Sequence, residues 1–195
     1  AVREQAIPAP EALLHRISPR PGETYFVPAR LPHAIGPGVF MLEVQEPSDW
    51  VVQPERYCAD TRLSDVDMWG SLSPDQGLEV FDYGSGKREP LIAQVLAAES
   101  VLREEVGGSL MEVIGEEYTD AFSVHRAQVR GTMRIAPERS FAVVVVAQGS
   151  GTMTWPGGQC ELQRGRYFLH PAGVEWIEYH AREALSLVLC LPPKA

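Results

Sequence analysis

Gly22-Glu-Thr-Tyr-Phe-Val-Pro28-Ala-Arg-Leu-Pro-His33 and, near the other end of the chain, Gly165-Arg-Tyr-Phe-Leu-His-Pro171-Ala-Gly-Val-Glu-Trp176 align without a gap. In each, a glycine turns the chain into a short run of β-formers. A proline, which has no N–H to donate, then ends the pairing. Gly, Pro and Ala coincide, three identities in twelve, while the Tyr-Phe pair is offset by one residue. Duplication is favoured over chance recurrence because both copies sit in surroundings that read as β.

Working outward, Thr24–Val27 reads as a strand stopped by Pro28. Val39-Phe-Met-Leu-Glu-Val44 reads as another, with Glu43 a carboxylate inside an apolar run that expects a partner facing a cavity. In the second half, Phe141–Ala147 is β-branched enough for a buried central strand. Thr152–Trp155, the turn Pro156-Gly-Gly and Cys160-Glu-Leu predict a hairpin. Arg166–His170, Glu175–Tyr179 and Ala184–Leu191 follow as further strands, the succession expected of a sandwich or jelly roll. Helices are few. Ser73 caps a short helix from Pro74 through Phe81, Pro90 to about Glu105 carries apolar residues at helical spacing, and Glu11–Ile17 allows one more turn or two.

The chain has 195 residues, 45% hydrophobic and 22% charged, with a net charge of −9. That composition excludes disorder and argues against nucleic acid or an anionic membrane as partner, while leaving room for a local pocket for a small anion. No apolar run approaches a membrane span, and the residues after Ala1 do not resemble a signal peptide. Cys58, Cys160 and Cys190 are odd in number and widely spaced, which predicts reduced thiols in a cytoplasmic protein. The start at Ala predicts a processed chain or a portion of a longer one.

The spacing Gly, five residues, Pro, x, Gly, two residues, His is a motif of the cupin superfamily. Gly22, Pro28 and His33 match it, with Arg30 in the usual Gly position; Gly165, Pro171 and Gly173 match in the second copy, with Trp176 in place of His. The continuation His33-Ala-Ile-Gly, then Leu42-Glu-Val-Gln and Ser48-Asp49, resembles the signature of the type I mannose-6-phosphate isomerase family. The resemblance implies an all-β, cupin/jelly-roll protein: the second part of one barrel over residues 1–58, a partly helical connector over 59–118, and a degenerate, metal-free second barrel over 119–195. It also implies a zinc-dependent aldose–ketose isomerase that interconverts mannose 6-phosphate and fructose 6-phosphate, a small phosphorylated sugar being the partner. His33 would ligate zinc, while Glu43 and Asp49 would lie near the sugar. The family arginine four residues after Asp49 is replaced by Gln53, a substrate-contacting position, and Arg56 is the nearest cation able to stabilise an enediolate.

Three protein ligands are needed for a catalytic zinc, and the family's Gln-x-His pair is absent before His33. The expected resolutions are a missing N-terminal half, donation by another chain with self-association through open strand edges, or a lost site. The alternative function is a non-catalytic cupin module that binds a sugar or sugar phosphate or packs against a partner. His170 and His180, on separate strands without a His-x-His segment, are not expected to bind metal. Trp176 is expected in the core, His15 and His125 at the periphery, and Glu104-Glu105 and Glu116-Glu117 on solvated segments.

Overall fold

The computed structural model describes residues 14–46, 48, 50–58, 60–84, 86–136 and 140–193. The chain divides into two units, Ala1–Leu96 and Ala97–Ala195. Among the described residues, no helix is long and apolar enough to cross a membrane.

The first unit is largely irregular. Its described residues form a two-residue ladder between β1 (Tyr57–Cys58) and β2 (Thr61–Arg62) and the short helices α1 (Asp65–Trp69), α2 (Pro74–Glu79) and α3 (Arg88–Val95). α2 begins where Ser73-Pro74 predicts. The Ser73 hydroxyl accepts from the Gln76 N–H at 3.3 Å, and the Gln76 side-chain oxygen accepts from the Ser73 N–H at 2.9 Å. This reciprocal pair satisfies two N–H groups that the helix cannot. Ser73→Ala should cost about 1 kcal/mol, read as a roughly fivefold faster hydrogen exchange at the Gly77 and Val80 amides. α1 has the same device, Ser64 with Asp67, and its Met68 and Trp69 are buried. Gly77 of α2 lies against the Trp69 ring, where an added Cβ would come within 2.4 Å of it.

Two predicted strands are absent from this unit. Thr24–Val27 contributes a single bridge, Tyr25 to Leu96, and Val39–Val44 is irregular with Val39, Phe40, Met41 and Leu42 exposed, Phe40 at 91%. Extended propensity alone does not make a strand; a partner edge must supply the hydrogen bonds. Of the helix predicted over Glu11–Ile17, residues 11–13 lie outside the described residues and 14–17 are not helical. The helix predicted from Pro90 to Glu105 starts earlier and ends at Val95, because Ser100–Glu105 pairs as strand β3 against β4 (Gly108–Ile114).

The second unit is an antiparallel sheet in the order β3-β4-β5-β10-β7-β8, with β6 on β10 and β9 on β7. Here β5 is Ser123–Val129, β6 Thr132–Ile135, β7 Ala142–Trp155, β8 Gly158–Gln163, β9 Tyr167–His170 and β10 Ile177–Leu191. The predicted hairpin is present, with Trp155 opposite Gly158 across Pro156-Gly157. Residues 177–179 of the strand predicted over Glu175–Tyr179, and all of Ala184–Leu191, belong to one long β10 whose pairing with β7 shifts register between Ala181 and Leu185 and again between Ser186 and Leu187. Its first half pairs with β6 and the end of β7; its second half pairs with β5 and the start of β7. At the bulge level β7 places Gly149 opposite Leu185. Both long strands therefore change partners at one level, and the sheet becomes two halves sharing one core.

That core is apolar: Val144, Val146, Leu162, Leu185 and Leu187 are almost completely buried, with Met133 and Tyr179. β7 alternates buried and exposed positions at its start, so Phe141–Ala147 is central in the sheet but covered on one face only. The second unit is the all-β architecture that the strand succession predicts, in keeping with the cupin fold that the resemblance implies.

Candidate functional site

The segment from Arg20 to His33 is built from two tight turns. Glu23 N–H donates to the Arg20 carbonyl at 3.1 Å with Gly22 at φ 93°, and Leu31 N–H donates to the Pro28 carbonyl at 3.2 Å. The second copy repeats both at the same offsets: Arg166 N–H to Gln163 at 3.0 Å with Gly165 at φ 86°, and Val174 N–H to Pro171 at 3.2 Å. The weak sequence repeat is thus a repeat of backbone geometry. Arg30, in the position where the cupin motif carries Gly, has φ 72°. An L-residue there costs roughly 1–2 kcal/mol. Two contacts offset it: Arg30 Nε–H donates to the Val80 carbonyl at 2.8 Å, and the Arg30 carbonyl accepts from Asp82 N–H at 2.8 Å.

The turn delivers His33 to the surface. Its Nδ1 lies 2.9 Å from the Leu31 carbonyl. A carbonyl only accepts, so Nδ1 carries the hydrogen and Nε2 presents its lone pair outward, the tautomer a ligand or base requires. Glu43 is exposed on an irregular segment, not in a buried strand facing a cavity. Gln53 is half-buried and its N–H donates to the Met68 carbonyl at 2.8 Å. Arg56 donates to Asp65 at 2.5 Å and to the Leu63 carbonyl at 3.2 Å, so its guanidinium anchors the start of α1. Asp49 lies outside the described residues.

Among the described residues, no group of three or more His, Cys, Asp or Glu is placed to hold a metal ion. Zinc needs at least three protein donors, and His33 is a single one, so the described residues do not fit a zinc site.

In the second unit the described core is lined by apolar side chains. Among these apolar groups His170 is fully buried on β9, with neither ring nitrogen hydrogen-bonded among the described residues. Burial in apolar surroundings pushes its pKa down to about 4. The neighbouring inward residue Phe168 packs on Tyr179, ring centroids 6.5 Å apart. Burial likewise drives the Tyr179 hydroxyl pKa well above its ordinary value.

His180 belongs to a different environment, a polar ladder on the solvent side of β6, β10 and β7. Its Nδ1 lies 3.0 Å from Thr132 Oγ1, and its Nε2 lies 3.2 Å from Glu178 Oε1. Arg134 donates to Glu178 at 2.7 Å and stacks 4.5 Å from the Trp176 ring centroid. Trp176 is therefore a half-buried platform for a cation, not a core residue. Sequence reading missed this ladder, although Glu178 and His180 alternate with the apolar Ile177 and Tyr179, the period that puts both polar groups on one face.

Residues 114–182 match the family described as the mannose-6-phosphate isomerase cupin domain. Bacillus subtilis (strain 168) YvyI, named provisionally as a mannose-6-phosphate isomerase, is 28% identical over 162 residues, 83% of this chain and 47% of its own length. GmuF of the same organism, with an equally provisional name of that kind, is 29% identical over 160 residues, 82% of this chain and 46% of its own. The crystal structure of mannose 6-phosphate isomerase from Bacillus subtilis superposes with a TM-score of 0.49 at 20% identity, covering 66% of this chain and 37% of that one. The chain spans about half the length of the curated relatives it matches. The chain is thus similar to mannose-6-phosphate isomerases over most of its length, and its second unit carries the match to the cupin domain of that family.

Proposed function

We propose that this chain is part of an aldose–ketose isomerase acting on mannose 6-phosphate and fructose 6-phosphate, with the chemistry in the first unit and a structural role for the second barrel. The similarity to YvyI over 83% of the chain carries this reading. The reaction moves one proton between adjacent carbons through an enediolate, so it needs a base and a group that stabilises the developing oxyanion. Glu43 and Asp49 are the proposed proton-handling carboxylates, Arg56 the cation for the enediolate oxygen, and Gln53 a hydrogen-bonding contact to the sugar. His33 offers its outward Nε2 as a ligand. A divalent metal would draw its other donors from beyond the described residues.

A second reading, a non-catalytic module that binds a sugar phosphate, is favoured by the filled apolar barrel of the second unit. One experiment separates the two. Conversion of fructose 6-phosphate to mannose 6-phosphate is followed by NMR for the chain supplied with zinc. Turnover that falls at least about 100-fold in His33→Ala, with an unchanged melting temperature, supports the isomerase. Saturable mannose 6-phosphate binding without turnover overturns it in favour of the second reading, and neither binding nor turnover defeats both.

A further inference from the structure

Among the described residues, Arg30 is the one non-glycine residue with a left-handed backbone, φ 72°. The turn it belongs to does not require this. The second copy closes the same turn, Val174 N–H to the Pro171 carbonyl at 3.2 Å, yet its Gly173, at the position of Arg30, has no positive φ. A glycine adopts that backbone freely and here does not; an arginine adopts it at a cost. Something outside the turn therefore holds Arg30. A strained residue beside a candidate functional group points to a role for the strain.

The holding contacts come from one place, the C-terminal end of α2. Val80 caps that helix, so its carbonyl is among those the helix leaves without a partner. Arg30 Nε–H fills it at 2.8 Å, as basic side chains do at helix ends. Two residues on, Asp82 N–H donates to the Arg30 carbonyl at 2.8 Å. Arg30 is thus clipped by side chain and backbone to residues 80 and 82. Two such bonds, each contributing about 1 kcal/mol, match the backbone cost of about 1–2 kcal/mol.

The clip reaches His33 through one peptide plane. The carbonyl of the Arg30–Leu31 peptide is held by Asp82, and its N–H, that of Leu31, donates to the Pro28 carbonyl at 3.2 Å. Because the peptide is planar, bonds at both ends fix its orientation. The next carbonyl along, that of Leu31, meets His33 Nδ1 at 2.9 Å. That contact selects the tautomer and turns Nε2 outward.

We infer that Arg30 is a positioning residue for His33: by clipping the turn to the end of α2 it fixes the Leu31 carbonyl, which holds the imidazole with Nδ1–H inward and Nε2 free. The inference rests on the reading of His33 as the functional end of the motif.

The test is long-range 1H–15N NMR of the histidine rings in the 15N-labelled chain above neutral pH, with His33 identified by the signals lost in His33→Ala. The parent should show His33 mainly as the Nδ1–H tautomer. Arg30→Gly removes the backbone cost together with the clip, so the melting temperature should stay near the parent's. The ratio of Nδ1–H to Nε2–H tautomer should nevertheless fall at least about threefold, and exchange at the Leu31 and Asp82 amides should accelerate about tenfold. Arg30→Gln is the rescue. Its amide nitrogen is bonded to Cδ, where arginine carries Nε, so it donates to Val80 without a charge and should restore the parent's ring spectrum. An unchanged ring spectrum in Arg30→Gly overturns the inference. So does an Arg30→Gln chain that behaves like Arg30→Gly, since the guanidinium charge and not the bond would then be at work. If Arg30→Gly markedly lowers the melting temperature, Arg30→Gln decides alone: a parent-like ring spectrum supports the clip, and a shifted one rejects it. The readout is the ring and not turnover, so a chain without isomerase activity would defeat the function proposed above and leave this inference standing.

Discussion

Gly149→Ala is expected to remove about 3–4 kcal/mol from the second unit, the sum of two separable costs. Gly149 has φ 84°, where an L-residue loses about 1–2 kcal/mol. An added Cβ would also sit 1.9 Å from the Ala184 carbonyl oxygen, a backbone collision that no rotamer can relieve. Opening that gap means moving β10 away at the bulge where both long strands change partners. Amide exchange across β7 and β10 should accelerate at least about 100-fold. Gly157→Ala provides the comparison: φ is 102°, and no atom lies within 4 Å of the added Cβ. Only the conformational cost of about 1 kcal/mol remains there. Equal effects of the two substitutions would refute the role assigned to the bulge.

The second large effect is acid lability of the same unit. His170 is neutral in the fold, with its pKa depressed to about 4 from the 6.5 of an exposed imidazole. Between those values the unfolded chain binds a proton that the folded one does not. The stabilising contribution is therefore intact above pH 6.5 and is lost progressively as the pH falls toward 4. The loss amounts to about 3 kcal/mol. His170→Phe removes the proton site and both unsatisfied nitrogens from an apolar core, so it should be neutral or stabilising at pH 7.5. Urea unfolding of the second unit at pH 7.5 and 4.5 tests this: the parent should lose about 3 kcal/mol more than the variant. Parallel losses in the two chains would place the acid sensitivity elsewhere.

The capping of α2 was legible because everything it requires is local: a hydroxyl at Ser73, a fixed φ at Pro74 and a side chain at Gln76. The Pro156-Gly157 hairpin was legible for the same reason. The geometry of the two motif turns also follows the sequence, with Gly22 and Gly165 both left-handed at the same offset.

The candidate site was less legible. Glu43 was expected in a buried strand, but Val39–Val44 has no partner edge among the described residues and leaves Val39, Phe40, Met41 and Leu42 exposed. Arg56 was assigned as a possible catalytic cation from its distance along the chain, whereas Asp65, nine residues on, engages its guanidinium. The polar ladder around His180 is not legible in the sequence because its members come from separate strands, Thr132 and Arg134 on β6 and Glu178 and His180 on β10.

The sequence by itself determined the turns, the caps, the β character of the second half and the family resemblance, since each of these depends on residues close together in the chain or on a contiguous motif. The tertiary structure alone decided which extended segments become strands, that β10 is one strand bent at a bulge, and that His170 lies inside while His180 lies outside. Those outcomes depend on which edges and faces distant segments offer one another, and strand hydrogen bonds and burial are supplied by the partner, not by the residue itself.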